Sequence, residues 1–149
     1  MKRPLIIITC LLAFTFQISA QNTSGKSKNT HKPTTVPSAA MANGKIVYTQ
    51  HCLSCHQADG GGVPNMNPPL IKTSYVTGDK IRLIKVVLNG FAQNVEIDGE
   101  SYSNNMPPQN FLKDQEIADV LTYVRNSFGN KAASVKVTEV KAVRTKNKK

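Results

Sequence analysis

The sequence lacks several features that mark large functional classes. Its longest apolar run, Leu5 to Phe16, has twelve residues, whereas a membrane-spanning helix needs about twenty. No stretch interleaves aromatic with basic residues, so nucleic-acid binding is not expected. No carboxylate pair and no serine, histidine and aspartate set stands out, so no catalytic residue is predicted. A stable membrane span, a nucleic-acid partner and acid–base catalysis are therefore all disfavoured.

The first twenty residues have the pattern of a secretory signal peptide. Lys2 and Arg3 precede the apolar run, and small residues at positions 19 and 20 follow it. We expect cleavage after this segment and export to the periplasm. An uncleaved anchor and a lipid anchor at Cys10 are the alternatives, and the second is disfavoured because Cys10 lies inside the apolar run. Cleavage would remove Cys10 and leave two cysteines, Cys52 and Cys55.

The basic residues are concentrated outside the central part of the chain. The formal net charge is +10. Residues 41–130 carry seven basic and eight acidic residues, whereas residues 131–149 carry seven basic residues and one acidic residue. A basic tail of this kind is expected to be solvated or to dock on an acidic partner or an anionic lipid surface. The shift in composition predicts a signal peptide at 1–20, a flexible polar linker at 21–40, one compact domain at 41–131 and a basic disordered tail at 132–149.

Two stretches of the domain have clear helical spacing. One begins near Asp114 and stops at Gly129, and the other runs from Asp79 to Asn89 and ends at Gly90. In both, apolar residues recur at intervals of three and four, as expected of helices that bury one face. The predicted buried faces are Ile117, Val120, Leu121 and Val124 in the first and Ile81, Ile84, Val87 and Leu88 in the second.

A shorter helix is predicted at 42–52, and a β-hairpin is predicted around Asp98 and Gly99, which lie between short alternating segments. Residues 57–77 are rich in glycine, proline and asparagine and predict a long loop. Three short helices and such a loop offer little apolar surface for a core. We therefore expect a large apolar cofactor at the centre of the domain.

Cys52, Cys55 and His56 form a C-x-x-C-H motif. A disulfide between cysteines three apart would restrain the chain little and would leave the histidine without a role. A structural zinc site needs four ligands, and the other histidines, His31 and His51, are poorly placed to complete one. A redox dithiol of the thioredoxin type needs a preceding strand, which is not predicted. The motif favours covalent attachment of haem, with both sulfurs as thioethers and His56 as an iron ligand.

With this motif the chain resembles the class I c-type cytochromes over most of residues 41–131. The run MPPQNFLKDQEIADVLTYVRNSFGN is similar to the mono-haem domains associated with periplasmic sugar and alcohol dehydrogenases. The resemblance implies that the carbonyl of Pro68 orients the ring of His56 and that Leu70 contacts the haem. It also implies that Met106, which two prolines follow, is the second axial ligand of the iron.

The resemblance further implies that Gly44 and Tyr48 of the first helix pack against Val120 and Tyr123 of the last. Met66 is a rival sulfur ligand. It is disfavoured because it follows the motif histidine by only ten residues, which would keep it near the face of the haem that the histidine occupies.

Together these features imply an all-α fold of three or more helices around one haem c, with a short β-hairpin before the methionine ligand. Histidine and methionine would fill both axial positions and raise the reduction potential relative to two histidines. The expected function is therefore a periplasmic one-electron carrier, not an enzyme. Its expected partners are a dehydrogenase as electron donor and an oxidase or another redox protein as acceptor. The protein would work either as a freely diffusing shuttle or as a fixed subunit of a larger complex. The alternative is a peroxidase-like or gas-binding haem protein in which the Met106 bond is weak or absent.

Overall fold

The computed structural model describes residues 36–92 and 94–147. The predicted signal peptide and all but the last five residues of the predicted linker lie outside these ranges. The predominance of helix, with one short hairpin, confirms the predicted fold class. In chain order the elements are α1 (Ser38–His51), α2 (Leu53–His56), α3 (Ser74–Thr77), α4 (Lys80–Asn89), β1 (Val95–Ile97), β2 (Glu100–Tyr102), α5 (Asp114–Asn126) and α6 (Val137–Asn147).

Helix α4 forms where the spacing predicts it. The carboxylate of Asp79 accepts a hydrogen bond from the Ile81 N–H at 2.8 Å and caps the first turn. Gly90 ends the helix with a φ of +75°, a conformation that glycine adopts without strain. The predicted buried face is wrong at Ile81, which is 54% exposed, and Leu83 takes its place in the core. The reason is that position 81 lies at the edge of the stripe that Ile84 and its neighbours form, in the first turn of the helix.

Helix α5 is the central element of the core. Glu116 accepts a hydrogen bond from the backbone N–H of Lys113 at 2.7 Å, which stabilises the first turn. All four residues of the predicted face are buried, and so is almost every other residue between them. The helix can bury side chains on several faces because α1, α3, α4 and α6 all pack against it.

Helices α1 and α5 approach each other closely at Gly44. A side-chain carbon at this position would lie 2.2 Å from the carbonyl oxygen of Asp119 and 2.7 Å from Cβ of Tyr123. One turn later, the rings of Tyr48 and Tyr123 are 5.5 Å apart, and Phe128 packs against both. The predicted contact with Tyr123 is confirmed. The backbone nearest to Gly44 belongs to Asp119, one residue before the predicted Val120.

The β-hairpin forms around Asp98 and Gly99, as predicted, with Ile97 paired to Glu100 next to the turn. Both turn residues have positive φ values, of 53° and 90°, which suit a two-residue hairpin loop. The Asp98 carboxylate also accepts a hydrogen bond from the Ser74 N–H at 2.8 Å. The hairpin is thereby tied to α3, a single helical turn inside the stretch predicted to be loop throughout.

The structure corrects the predicted boundaries at both ends of the domain. Helix α1 begins at Ser38, inside the predicted linker, and residues 137–147 form α6, so the prediction of a disordered tail is wrong for them. Val140 and Val143 are buried where α6 packs against α4 and α5. Lys80 and Glu139 form a salt bridge of 2.5 Å near the start of α6. The packed part of the chain therefore extends well beyond residue 131.

Candidate functional site

One cavity brings together all the residues that the sequence marks for the cofactor. Its walls come from α2, from the long loop after α2, from α4 and α5, and from the segment that follows the hairpin. The predicted site residues that line it are Cys52, Cys55, His56, Pro68, Leu70 and Met106.

The C-x-x-C-H motif lies on a tight helical turn. Helix α1 ends at His51, and Cys52 has φ and ψ values of −120° and −31°, which break the helix before α2 begins. The carbonyl of Cys52 accepts hydrogen bonds from the N–H groups of Cys55 at 3.2 Å and His56 at 2.9 Å. The turn therefore holds both thiols and the imidazole within one short stretch at the mouth of the cavity, with Cys55 exposed and Cys52 half-buried.

The two thiols are free, and burial holds that of Cys52 in its protonated form. Neither Cys52 nor Cys55 forms a disulfide. Burial, with a smaller contribution from neighbouring Cys55, raises the pKa of Cys52 to about 11. A thiol-exchange enzyme needs a lowered thiol pKa, because the thiolate is the nucleophile. The site therefore does not support the redox-dithiol alternative.

The ring of His56 is held in one orientation by Pro68. Its Nδ1 lies 3.0 Å from the Pro68 carbonyl oxygen. A carbonyl can only accept, so Nδ1 carries the proton and Nε2 keeps a free lone pair. Burial lowers the pKa of His56, and the hydrogen bond to Pro68 offsets this only in part. The side chain is therefore a neutral imidazole, the form that binds a metal ion.

Glycines let the loop after the motif fold back beside the histidine. A side-chain carbon on Gly62, whose φ is +66°, would lie 2.3 Å from the carbonyl oxygen of Asn67. The Gly62 N–H donates to the His56 carbonyl at 3.1 Å, and the Leu70 N–H donates to the Gly60 carbonyl at 2.7 Å. These contacts hold the segment that carries Pro68 and Leu70 at the cavity wall.

Met106 reaches the same cavity from the segment after the hairpin. Its backbone exchanges two hydrogen bonds with Phe91, both of 2.9 Å. Gly90 packs against the Met106 carbonyl so closely that a side-chain carbon would lie 2.3 Å from it. Met66, the rival sulfur, is 46% exposed and is not among the described residues that line the cavity.

The rest of the cavity wall is mainly apolar, and sequence reasoning missed part of it. Valine, leucine and isoleucine side chains from α4, α5 and β1 face the cavity. Two signals in the sequence could have identified some of the missed residues. One is the alternation of apolar and polar residues in the hairpin, and the other is the apolar residue just before α5. The missed residues include Tyr75, Phe91, Val95, Ile97, Asn104 and Leu112.

The arrangement suits a large flat apolar group with a metal at its centre. The walls would bury its faces, and a neutral histidine and a methionine thioether are available to the metal. Within residues 36–92 and 94–147, no three histidine, cysteine, aspartate or glutamate side chains cluster in a way that could hold a metal ion. The described residues therefore offer no site for a structural zinc, which requires four protein ligands.

None of the described helices is both long enough and apolar enough to cross a membrane.

Comparisons with known proteins bear directly on this site. The cytochrome c family model matches residues 41–128. A cytochrome c-552 of Thermus thermophilus is 36% identical over 117 residues, which cover 72% of this chain and 78% of that protein. The cytochrome c subunit of the quinone alcohol dehydrogenase of Gluconobacter oxydans is 36% identical over 104 residues, which cover 68% of this chain and 22% of that protein. The gluconate 2-dehydrogenase cytochrome c subunit of Pantoea cypripedii is 32% identical over 105 residues, with coverages of 68% and 24%.

Proposed function

Since this chain belongs to the cytochrome c family and is a class I c-type cytochrome, we propose that it is an exported, periplasmic carrier of single electrons. Transfer of electrons by a c-type haem follows from the family. The proposal adds that Cys52 and Cys55 attach one haem, and that His56 and Met106 are its axial ligands. The observation that carries it is the 3.0 Å contact between His56 Nδ1 and the Pro68 carbonyl, because it leaves Nε2 free for iron.

The two cysteines suit attachment at the edge of the cavity. Each thiol would add across one vinyl group of the haem, so that its sulfur bonds to one carbon and its hydrogen goes to the next. This addition needs no oxidant. The raised pKa of Cys52 is compatible with it, because the thiol keeps the hydrogen that the addition consumes. The short turn between Cys52 and His56 keeps the attachment points close to the ligand.

Met106 suits the second axial position. Its backbone is fixed by Phe91, and its half-buried side chain lies at the cavity wall. His56 and Met106 would hold a haem iron that supplies one-electron redox chemistry, at a higher potential than two histidines would give. The apolar walls from α4 and α5 would keep water away from this site. With both residues bound, the iron would keep no open position for peroxide or a gas, which would favour a carrier over a peroxidase-like or gas-binding protein.

We extend the proposal to partners and location. Two of the relatives are cytochrome c subunits of dehydrogenases, which supports a dehydrogenase as electron donor and an oxidase or another redox protein as acceptor. Export rests on the sequence of residues 1–20, which lie outside the described part of the chain. Cleavage of this segment would release the cytochrome domain into the periplasm.

The axial ligand is tested by replacing each of the two candidate methionines. In the oxidised holoprotein, methionine ligation gives a weak far-red charge-transfer band. We expect this band in the wild type and in Met66→Leu, and we expect it to be absent from Met106→Leu. The Met66 variant is the matched control, because it removes the same thioether from an exposed position. Loss of the band in Met66→Leu, or a high-spin wild type that binds cyanide rapidly, would overturn the assignment.

Covalent attachment is tested on the same proteins after denaturation. Haem should remain with the polypeptide of the wild type in a denaturing gel and should be lost when both Cys52 and Cys55 are replaced by serine. Haem that separates from the denatured wild type would contradict the role of the two cysteines.

A further inference from the structure

The segment from Met106 to Leu112 is held at its far end by a side chain from α6. Arg144 donates one hydrogen bond to the Asn110 carbonyl at 2.8 Å and another to the Leu112 carbonyl at 2.7 Å. Its Nε also lies 2.6 Å from a carboxylate oxygen of Asp114. The three contacts use three different nitrogens of one planar guanidinium, an arrangement that the single nitrogen of a lysine cannot reproduce.

The near end of this segment is held by α4 and the residues that follow it. Met106 is paired with Phe91 through two backbone hydrogen bonds of 2.9 Å. Three residues later, the Gln109 N–H donates to the Val87 carbonyl at 2.8 Å. The segment that carries the proposed ligand is thus fixed to α4 at one end and to α6 at the other.

Helix α6, which carries Arg144, is itself held in place by packing and by a salt bridge. Val140 and Val143 are buried on the face that packs against α4 and α5. At the opposite end of the helix, Glu139 is paired with Lys80. Arg144 therefore connects a packed helix to the backbone beside the cavity, and Leu112, whose carbonyl it binds, itself lines that cavity.

We propose that Arg144 is a positioning residue for Met106. By binding the carbonyls of Asn110 and Leu112, it holds the segment in the conformation that keeps the thioether at the cavity wall. It thereby sets how readily Met106 leaves the iron. This inference rests on the proposed ligation by Met106. It assigns to α6 a role in the behaviour of the site, in addition to its part in the core.

The test measures displacement of Met106 by imidazole in the oxidised holoprotein. At saturating imidazole, the rate at which the methionine band disappears reports how often the ligand segment opens. Arg144→Gln should raise this rate about tenfold, which corresponds to about 1.4 kcal/mol, because two hydrogen bonds from a charged group are lost. Arg144→Lys keeps the charge beside Asp114 but not the fork, so it should also open faster than wild type.

Two variants control for effects that do not act through the segment. Lys141→Gln removes a charge from an exposed position of the same helix. Glu139→Gln removes the salt bridge at the other end of α6 and so loosens the helix away from Met106. Both should open at the wild-type rate. Asp114→Asn should have a smaller effect than Arg144→Gln, because the two bonds to the carbonyls remain.

The outcomes separate this inference from the ligand assignment. A wild type without the methionine band would overturn both. A normal band together with wild-type opening rates in both Arg144 variants would overturn the role of Arg144 alone. The same acceleration in Glu139→Gln as in Arg144→Gln would also overturn it, because general loosening of α6 would then explain the effect. If Arg144→Gln does not fold, the opening rate of Arg144→Lys decides, because this variant is also expected to open faster than wild type.

Discussion

Replacing Val140 with alanine should destabilise the protein substantially. The lysine-rich sequence around this position suggests a solvated segment, but the side chain of Val140 is buried. Val140 is fully buried and Val143 is 5% exposed. The change removes two buried methyl groups, worth about 0.8 kcal/mol each, and leaves a small cavity, so the expected loss is about 2 kcal/mol. For a domain of about 100 residues this lowers the melting temperature by roughly 8–15 °C.

The matched control is Val137→Ala, in the same helix. Val137 is 38% exposed, so its truncation should change the free energy of unfolding by no more than about 0.5 kcal/mol. The double variant Val140→Ala/Val143→Ala should lose about 3–5 kcal/mol of the free energy of unfolding. This is a large share of the roughly 5–15 kcal/mol that stabilises most domains. The two sites are one turn apart, so exact additivity is not expected.

The assay is thermal or urea unfolding of the holoprotein, followed by far-ultraviolet circular dichroism. Equal melting temperatures for the Val137 and Val140 variants would refute the packing of α6. So would a protein that ends at residue 136 and is as stable as the full chain. Either result would mean that the C-terminal segment is solvated, as its composition alone suggests.

The close approach of α1 and α5, the salt bridge of Glu139 and the exposed lysines of α6 can each be tested. Gly44→Ala should lower stability by about 1–3 kcal/mol, because the new carbon would lie 2.2 Å from the Asp119 carbonyl oxygen; an unchanged urea midpoint would contradict the close approach of the helices. Burial alone would raise the pKa of Glu139, but hydrogen bonds from a backbone N–H and a lysine outweigh it and lower the pKa. The contribution of Glu139 to the free energy of unfolding should therefore be present at pH 7. It should be lost as the pH falls below about 4.5, the ordinary pKa of a glutamate, and on through the lower pKa of the folded protein. Glu139→Gln should accordingly cost up to about 1 kcal/mol at pH 7, with the difference from wild type disappearing in acid; a constant difference would refute the linkage. Replacing exposed Lys141 and Lys146 with glutamine should slow electron transfer with an acidic partner at low salt and matter little at high salt, because added ions screen the attraction; equal rates at low salt would show that these lysines are only solvated.

Helix α4 was predictable because its signals are local. The carboxylate of Asp79 at its start, Gly90 at its end and the apolar spacing between them all act within a few residues. The turn at Asp98 and Gly99 was predictable for the same reason, since both residues tolerate positive φ.

Helix α6 was not predictable from such signals. Val137, Val140 and Val143 recur every three residues, and each such step turns back by about 60° around an ideal helix. The apolar stripe is therefore narrow and drifts around the helix. What stabilises the helix is its packing against α4 and α5, and no pattern within the segment itself reveals those partners.

The residues of the candidate site also differ in how directly the sequence identifies them. The C-x-x-C-H motif is compact in sequence, so Cys52, Cys55 and His56 could be identified directly. Pro68, Leu70 and Met106 were expected from resemblance to a family, and the structure brings them to the same cavity. The contacts of Arg144 could not be foreseen, because its partners include backbone carbonyls, which every residue possesses.

The contact between α1 and α5 also determines the order in which the chain can assemble. The side chain of Asn43 donates to Asp119 across a separation of 76 positions. Closing a loop of that length costs about 4 kcal/mol of chain entropy before any packing compensates. At a synthesis rate of about 5–20 residues per second, roughly 4–15 s separate the emergence of the two helices from the ribosome. Throughout that interval α1 has no partner for its Gly44 face, so this contact cannot stabilise the helix until α5 has emerged.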